Sequence, residues 1–332
     1  MHIPVLLQES LEWLQVRPDG IYVDATVGGC GHSRAILQRL DSGRLIGMDK
    51  DARAIELARQ TLSDYRQKLT LEQQDYAELA ELLGRLGVNG VDGILADLGL
   101  SQMQIDAPER GFSFRAEGPL DMRMDQRATL TASEIVNHFD ERELADLIYQ
   151  YGEERRSHRI ARAIVHARPI RNTVQLAELI QACLGGQAGI SRRQSRRGGS
   201  KRAARGTIKK RIHPATLTFQ ALRIAVNSEL DSLTRFLESA PACLKPGGRL
   251  VIISFHSLED RIVKRHFQHW DRAGMMRNLT ARGVTPGREE VGSNPRSRSA
   301  RLRAAERLQQ TAQSESHGGG SELSSPATFR RR

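Results

Sequence analysis

Cysteine is scarce in this chain. Three are present among 332 residues, Cys30, Cys183 and Cys243, far apart and with no CxxC pair. A disulfide framework and a cysteine zinc site are therefore not expected, and a reducing, cytoplasmic setting is. Long hydrophobic runs are also missing. No stretch reaches the roughly 18 apolar residues of a membrane helix. The segment from Met1 to Trp13 carries Glu9 and Glu12, with no basic leader and no small-residue cleavage site, so no signal peptide is expected. There is no internal repeat. His266 and His269 have helical spacing but no acidic or thiol companions, which points away from a metal site.

What is present is a soluble composition, 39% hydrophobic and 27% charged, with a net charge of +11. The positive charge is local. Residues 191–211 hold ten Lys/Arg and no Asp/Glu. The remainder is nearly neutral, with 40 basic against 39 acidic residues. Such a run beside a neutral globule reads either as an arm for phosphates or as a solvated loop.

The first hundred residues alternate strand and helix signals. Apolar runs at Ile21–Asp24, Arg44–Asp49, Leu69–Gln73 and Val91–Asp97 are separated by helical stretches at His32–Leu40, Ala52–Leu62 and Tyr76–Leu86. That rhythm predicts an α/β fold with a doubly wound parallel sheet. After Asp97 it breaks. A loop rich in Gly, Pro and Met leads into helical stretches at Ala132–Asn137, Glu141–Tyr149, Ser157–His166 and Val174–Leu184. A long helical stretch, Pro214–Ala240, and a strand, Arg249–Ser254, then follow, the strand preceded by the turn Lys245-Pro246-Gly247-Gly248. We expect a discontinuous α/β domain of 1–104 and 213–310. Into it is inserted a helical domain, 105–212, which carries the basic segment 191–211. A Ser/Gly/Gln-rich tail, 311–332, is expected to be disordered.

The strongest chemical signal is Val23-Asp24-Ala25-Thr26-Val27-Gly28-Gly29-Cys30-Gly31-His32-Ser33. Glycines directly after a strand let the backbone approach a ligand, and the next helix aims free N–H groups at it. Asp49 ends the second strand, where an acid can accept hydrogen bonds from ribose hydroxyls. A dinucleotide fingerprint would need glycine at 34, and that position is Arg34. A cofactor with a ribose and no phosphate fits better, and S-adenosylmethionine is one. Tyr76 follows the third strand, where an adenine would lie. Asp97 ends the fourth, facing the transferred group.

Several further motifs occur in order. They are His2-Ile3-Pro4-Val5-Leu6-Leu7, Asp92-Gly93-Ile94-Leu95-Ala96-Asp97-Leu98-Gly99, Glu109-Arg110-Gly111-Phe112-Ser113-Phe114 and Gly118-Pro119-Leu120-Asp121-Met122-Arg123-Met124-Asp125. Tyr151-Gly152-Glu153-Glu154-Arg155, His213-Pro214-Ala215-Thr216 and Ser254-Phe255-His256-Ser257-Leu258-Glu259-Asp260-Arg261 complete them. With the glycine loop, this set resembles the MraW-type ribosomal RNA small-subunit methyltransferase H family over residues 2–307. The resemblance implies a Rossmann-like class I methyltransferase domain interrupted by a helical insertion domain. It implies methylation of the exocyclic 4-amino group of a cytidine in 16S ribosomal RNA, with S-adenosyl-L-methionine and no metal. The partner would be 16S rRNA in the small ribosomal subunit, with no membrane; a homodimer is left open. Matching positions put cofactor contacts on Cys30, Gly31, His32, Asp49, Tyr76, Asp97 and Gln104. The chain departs from the family pattern at Cys30, usually glycine, at Ser101-Gln102-Met103-Gln104, usually Ser-Ser-Pro-Gln, and at Leu217, where arginine is expected.

Asp97 has two open roles, accepting a proton from the amino nitrogen or only holding the cofactor. Phe112, Phe114 and Phe255 are candidates to sandwich the base, with core packing as the alternative. Ser254, His256 and Arg261 are candidates for the RNA side of the site. Three rival functions are weighed at this level: an NAD-dependent oxidoreductase, disfavoured by Arg34 and the absence of a hydride-site constellation, a methyltransferase for a small molecule or protein, and an RNA-binding or assembly factor that has lost catalysis. The intact cofactor motifs argue against the last.

Overall fold

The computed structural model describes residues 4–185 and 213–309. The basic segment 191–211 and the tail 311–332 therefore lie outside the described residues, as do His2 and Ile3. Seven strands form one sheet: β1 (Ile21–Asp24), β2 (Arg44–Asp49), β3 (Leu69–Gln73), β4 (Val91–Asp97), β5 (Leu244–Ser254), β6 (Met276–Asn278) and β7 (Arg301–Arg307). Their order is β3-β2-β1-β4-β5-β7-β6. The first five run parallel, and β7 is antiparallel to both β5 and β6. The strand order reverses between β1 and β4, and in open sheets the crevice at the carboxyl end of such a reversal receives ligands.

The helices are α1 (Leu7–Leu14), α2 (Gly31–Leu37), α3 (Ala52–Thr61), α4 (Leu79–Arg85), α5 (Gln102–Asp106), α6 (Ala132–His138), α7 (Glu141–Gly152), α8 (Ser157–Ala167), α9 (Thr173–Gly185), α10 (Thr216–Asn227), α11 (Glu229–Cys243), α12 (Ser257–Arg272) and α13 (Arg288–Ser293). Among the described residues, no helix is long and apolar enough to cross a membrane.

Strand alternation divides the core. Val23, Ile46, Ile94 and Ile252 point to one face, where α4, α11 and α12 pack. Tyr22, Leu45, Leu95, Val251 and Ile253 point to the other, with Leu11 and Leu14 of α1 and Ile36 and Leu37 of α2. These strands are apolar on both faces, as a doubly covered parallel sheet requires. A separate core forms among α6, α7, α8, α9 and α10, with Ile135, Ile148, Ile160, Ile180 and Leu222 at its centre.

Three features depart from the sequence expectation. The stretch Pro214–Ala240 is two helices, because Ser228 turns left-handed at φ 48° and ends α10. Phe219, Leu222 and Val226 of α10 then pack in the helical core, so that core extends past residue 212. The Lys245–Gly248 turn lies inside β5, as a register irregularity against β4 with Gly247 at φ 78°. Finally, β7 carries four charged residues and reads poorly as a strand. Arg303 is nonetheless 2% exposed, held by Asp260 at 2.7 Å, and Glu306 is held by Arg249 at 2.9 Å.

The two cores are tied by a buried ion pair. Arg110, in the loop leaving α5, sits 2.8 Å from Asp51, the N-cap of α3, and both side chains are at most 3% exposed. Arg110 also donates to the carbonyls of Arg123 and Met124. Removing one partner of such a pair strands a charge in the interior. Arg110→Met should therefore cost about 3–5 kcal/mol of stability, read from urea unfolding. A loss below about 1 kcal/mol would show that the pair is dispensable.

Candidate active site

The site lies at the β1/β4 reversal, a cavity of about 410 Å³. The glycine loop builds its floor. Gly28 needs its positive φ of 47°, and Gly31 has no room for a side chain, because a Cβ there would meet Pro4 Cγ at 2.2 Å. Pro4 and Val5 form one wall, and Leu6 N–H donates to Glu290 of α13 at 2.8 Å, so the N-terminal segment is pinned across the opening. Ser293, Asn294 and Arg296 continue that wall.

Acids crowd the carboxyl edge of the sheet. Asp24 ends β1, fully buried, and accepts from Ser33 Oγ at 2.5 Å and from Thr26 N–H at 3.2 Å. Burial still pushes it up to about 6. Asp49 ends β2 and accepts from Gly28 N–H and Asp51 N–H, both at 2.9 Å. Burial also pushes Asp49 up to about 6, against those two donors. Asp97 ends β4. Among the described residues its Oδ1 is buried with no hydrogen-bond partner, and its Oδ2 lies 3.7 Å from His32 Nδ1. Burial, with Asp24 and Glu259 nearby, holds its carboxyl well above the ordinary range.

Of the residues expected from sequence, Gly31, His32, Asp49, Tyr76, Asp97 and Gln104 all line this cavity. Cys30 does not. It is the N-cap of α2 at φ 67°, and its side chain is buried in the core. That left-handed backbone accounts for glycine being usual there. Gln104 is locked in place, donating to Asp51 at 2.8 Å and accepting from Ser101 N–H at 3.1 Å. Tyr76 meets Phe236 edge-on at 5.3 Å.

The expected substrate side divides. Phe255 lines the cavity beside Leu98, Gly99 and Leu100. Phe112 and Phe114 do not line it. Phe112 is 8% exposed under the Arg110 guanidinium, and Phe114 packs on His213 and Phe219. Ser254 is buried, its hydroxyl donating to the Arg301 carbonyl. His256 is the N-cap of α12, in a reciprocal capping box with Glu259. Ser257 and Arg261 share one face of α12, as their spacing of four dictates, and both bind Glu153 at the end of α7, Arg261 at 2.8 Å. They join the two cores rather than lining the cavity.

Glu259 and Glu229 line the cavity and were not anticipated. Together with His256 they bring three ligand-type groups within 4.8 Å. Each is already engaged. Arg223 donates twice to Glu229 at 2.8 Å, and Glu259 accepts from the backbone of Phe255 and His256. Burial opposes ionisation of Glu259, but His256 and Arg223 outweigh it and hold its carboxyl below the ordinary value. Glu259 lies within a motif already quoted, and its cap signature, an acid three residues after His256, was the available signal.

A sheet of order 3-2-1-4-5-7-6 with one antiparallel strand, a glycine loop after β1 and acids ending β1, β2 and β4 defines a Rossmann-like class I methyltransferase domain. The MraW methylase family matches residues 1–308, and the chain belongs to that family. It is 46% identical over 306 residues to the ribosomal RNA small subunit methyltransferase H of Solibacter usitatus, covering 92% of this chain and 99% of the relative. The protein of that name from Koribacter versatilis is 50% identical over 313 residues, covering 92% and 94%. That from Acidobacterium capsulatum is 49% identical over 311 residues, covering 92% and 98%. Membership bears out the methyl-transfer class, and with it S-adenosyl-L-methionine as cofactor.

The raised carboxyls have a consequence for stability. Asp24 keeps its proton in the folded chain up to about pH 6 and loses it near 4 when unfolded. Between those values the folded state binds more protons, so stability from this group falls as pH rises. Asp24→Asn removes the titration. Its stability relative to the parent should therefore improve between pH 4 and pH 7, by on the order of 1–3 kcal/mol. Urea unfolding at both pH values measures this, and an unchanged or opposite difference would refute it.

Proposed function

We propose that this chain methylates the exocyclic 4-amino group of a cytidine in 16S ribosomal RNA of the small ribosomal subunit. The names of the curated relatives support the RNA and the subunit. The observation that carries the reaction is Asp97, an acid with an unpartnered buried oxygen, in the same cavity as Phe255.

The residues fit the cofactor. Asp49 is placed for ribose hydroxyls, Tyr76 for the adenine side, and the Gly28–His32 loop for close backbone approach. Cys30 can contribute through its backbone alone, and Gln104 by bracing Asp51. When bound, S-adenosylmethionine supplies an electrophilic methyl group, whose transfer returns the bond pair to sulfur and leaves one amino proton to be removed.

The cytosine amino group is a poor nucleophile because its lone pair is delocalised into the ring. Orientation is therefore most of what the protein supplies, and it can lower a barrier by several kcal/mol, roughly. Asp97 accepts a hydrogen bond from the amino group, which orients the nitrogen, and then accepts the proton. Phe255 faces Gly99, where φ is 97° and a Cβ would stand 3.6 Å from the Phe255 ring. The positive φ is what favours glycine there, and the Phe255 ring that lines the cavity is a surface on which a base that has left its stack can lie. The helical core, tied to α12 by Glu153, forms the adjoining RNA-facing body. We take the methyltransferase domain as 1–104 and 213–310 and the helical insertion as 105–212, with α10 packing in the helical core.

The test uses methyl-labelled S-adenosylmethionine with small subunits from cells lacking this enzyme, free ribosomal RNA and transfer RNA in parallel, and mass spectrometry of the nucleosides. Label on a cytidine 4-amino group in the subunit sample is expected, and label confined to another nucleoside or substrate would overturn the reading. Phe255→Ala should lower kcat/KM by about 10–100-fold, the worth of one base–aromatic stack, with cofactor affinity retained. Unchanged kcat/KM would remove Phe255 from the site.

A further inference from the structure

His32 is 6% exposed, and each ring nitrogen faces an oxygen. Nε2 lies 3.1 Å from the Val5 carbonyl oxygen. A carbonyl only accepts, so Nε2 carries the hydrogen. Nδ1 is thereby turned to Asp97, 3.7 Å from Oδ2. A neutral ring would set an Nδ1 lone pair against a carboxylate. Two acceptors at that distance repel, and one proton on either removes the repulsion.

The surroundings make that proton useful. Among the described residues, Asp24 on β1 and Glu259 on α12 are the charged groups that act on Asp97, both acids, and Asp49 on β2 lines the same cavity. Cys30 on α2 stays a neutral thiol, pushed up to about 11 by burial. Among the described residues, the cations nearby are committed elsewhere. Lys50 pairs with Asp75 at 3.2 Å, Arg223 with Glu229 at 2.8 Å, Arg34 donates to the Thr61 carbonyl at 2.7 Å, and Arg296 of the cavity wall lies 3.9 Å from Asp106.

We propose that His32 is a positioning residue for the methyl transfer: it shares one proton with Asp97 and, as imidazolium, keeps that carboxylate ionised to receive the amino proton. The proposal rests on the function given above. As the new N–C bond forms, the electrons of one N–H bond return to nitrogen and its proton passes to an Asp97 oxygen. The imidazolium remains charged through that step, and the pair returns the extra proton to solvent afterwards.

Two measurements decide it. The first needs neither cofactor nor RNA: nitrogen NMR of the full chain labelled in histidine, with the His32 signals identified by their loss in His32→Gln. In the parent chain His32 should hold its second proton to higher pH than in Asp97→Asn. Equal titration in both would overturn the pairing. The second is single-turnover methylation of small subunits from pH 5.5 to 9, with S-adenosylhomocysteine affinity measured alongside. Glutamine can still donate to Val5 but cannot carry the charge. The rising limb for His32→Gln should move up by about one pH unit or more, with rate recovered at the alkaline end. A loss equal at every pH would make the role structural and overturn the proposal. If the parent chain labels no cytidine in the subunits, the proposed function fails, and the NMR comparison still decides the pair.

Discussion

Negative charge packed at the carboxyl edge of the sheet is the constraint from which the rest of the site follows. Asp24, Asp49, Asp97 and Glu259 meet there, all substantially removed from water. Isolated buried carboxylates are too costly to keep, so each has a distinct solution. Asp24 takes a serine hydroxyl and Asp49 two backbone N–H groups. Glu259 takes the N-terminus of α12 and His256. Asp97 has the poorest provision, with one oxygen unpartnered. A group left incompletely satisfied by the protein is available to a substrate donor, which is why the proposed chemistry is assigned to it.

The same economy ties the two cores together. The helical unit meets the sheet through polar contacts at a few points. They include Arg110 with Asp51, Lys50 with the Asn227 carbonyl, and Glu153 with Ser257 and Arg261. Asp51 is central, because it caps α3, receives Gln104 and pairs with Arg110 while its own N–H is held by Asp49. The acid at the cofactor edge is thus two polar contacts, through Asp51, from the loop that leads into the helical unit.

Much of this was legible in the residues. Strands β1 to β4 announce themselves as short apolar runs that end in an acid or polar residue and give way to turns, and the glycines after β1 mark close backbone approach. β7 was hidden because its charges are absorbed by neighbours: Arg303 by Asp260 and Glu306 by Arg249, pairings that appear only when distant segments meet. The break at Ser228 was hidden because a single left-handed residue leaves the helical periodicity of α10 and α11 intact on both sides. In the site, Asp49 and Asp97 could be placed from strand ends alone. His256 and Arg261 could not, since their motif sits on a helix whose cavity-facing member is Glu259, two residues beyond Ser257. Phe255 could be separated from Phe112 and Phe114 only by knowing which core each one enters.

The residue on which binding and chemistry divide is Asp97. The direct measurement compares Asp97→Asn with the parent chain in one preparation, reading S-adenosylhomocysteine affinity by calorimetry and single-turnover methylation of small subunits by nucleoside mass spectrometry. The account predicts that affinity is kept while the transfer rate falls by about 10²–10⁴-fold, the worth of a positioned proton acceptor. Transfer at the parental rate would contradict it, and so would a loss of activity fully explained by a loss of cofactor binding.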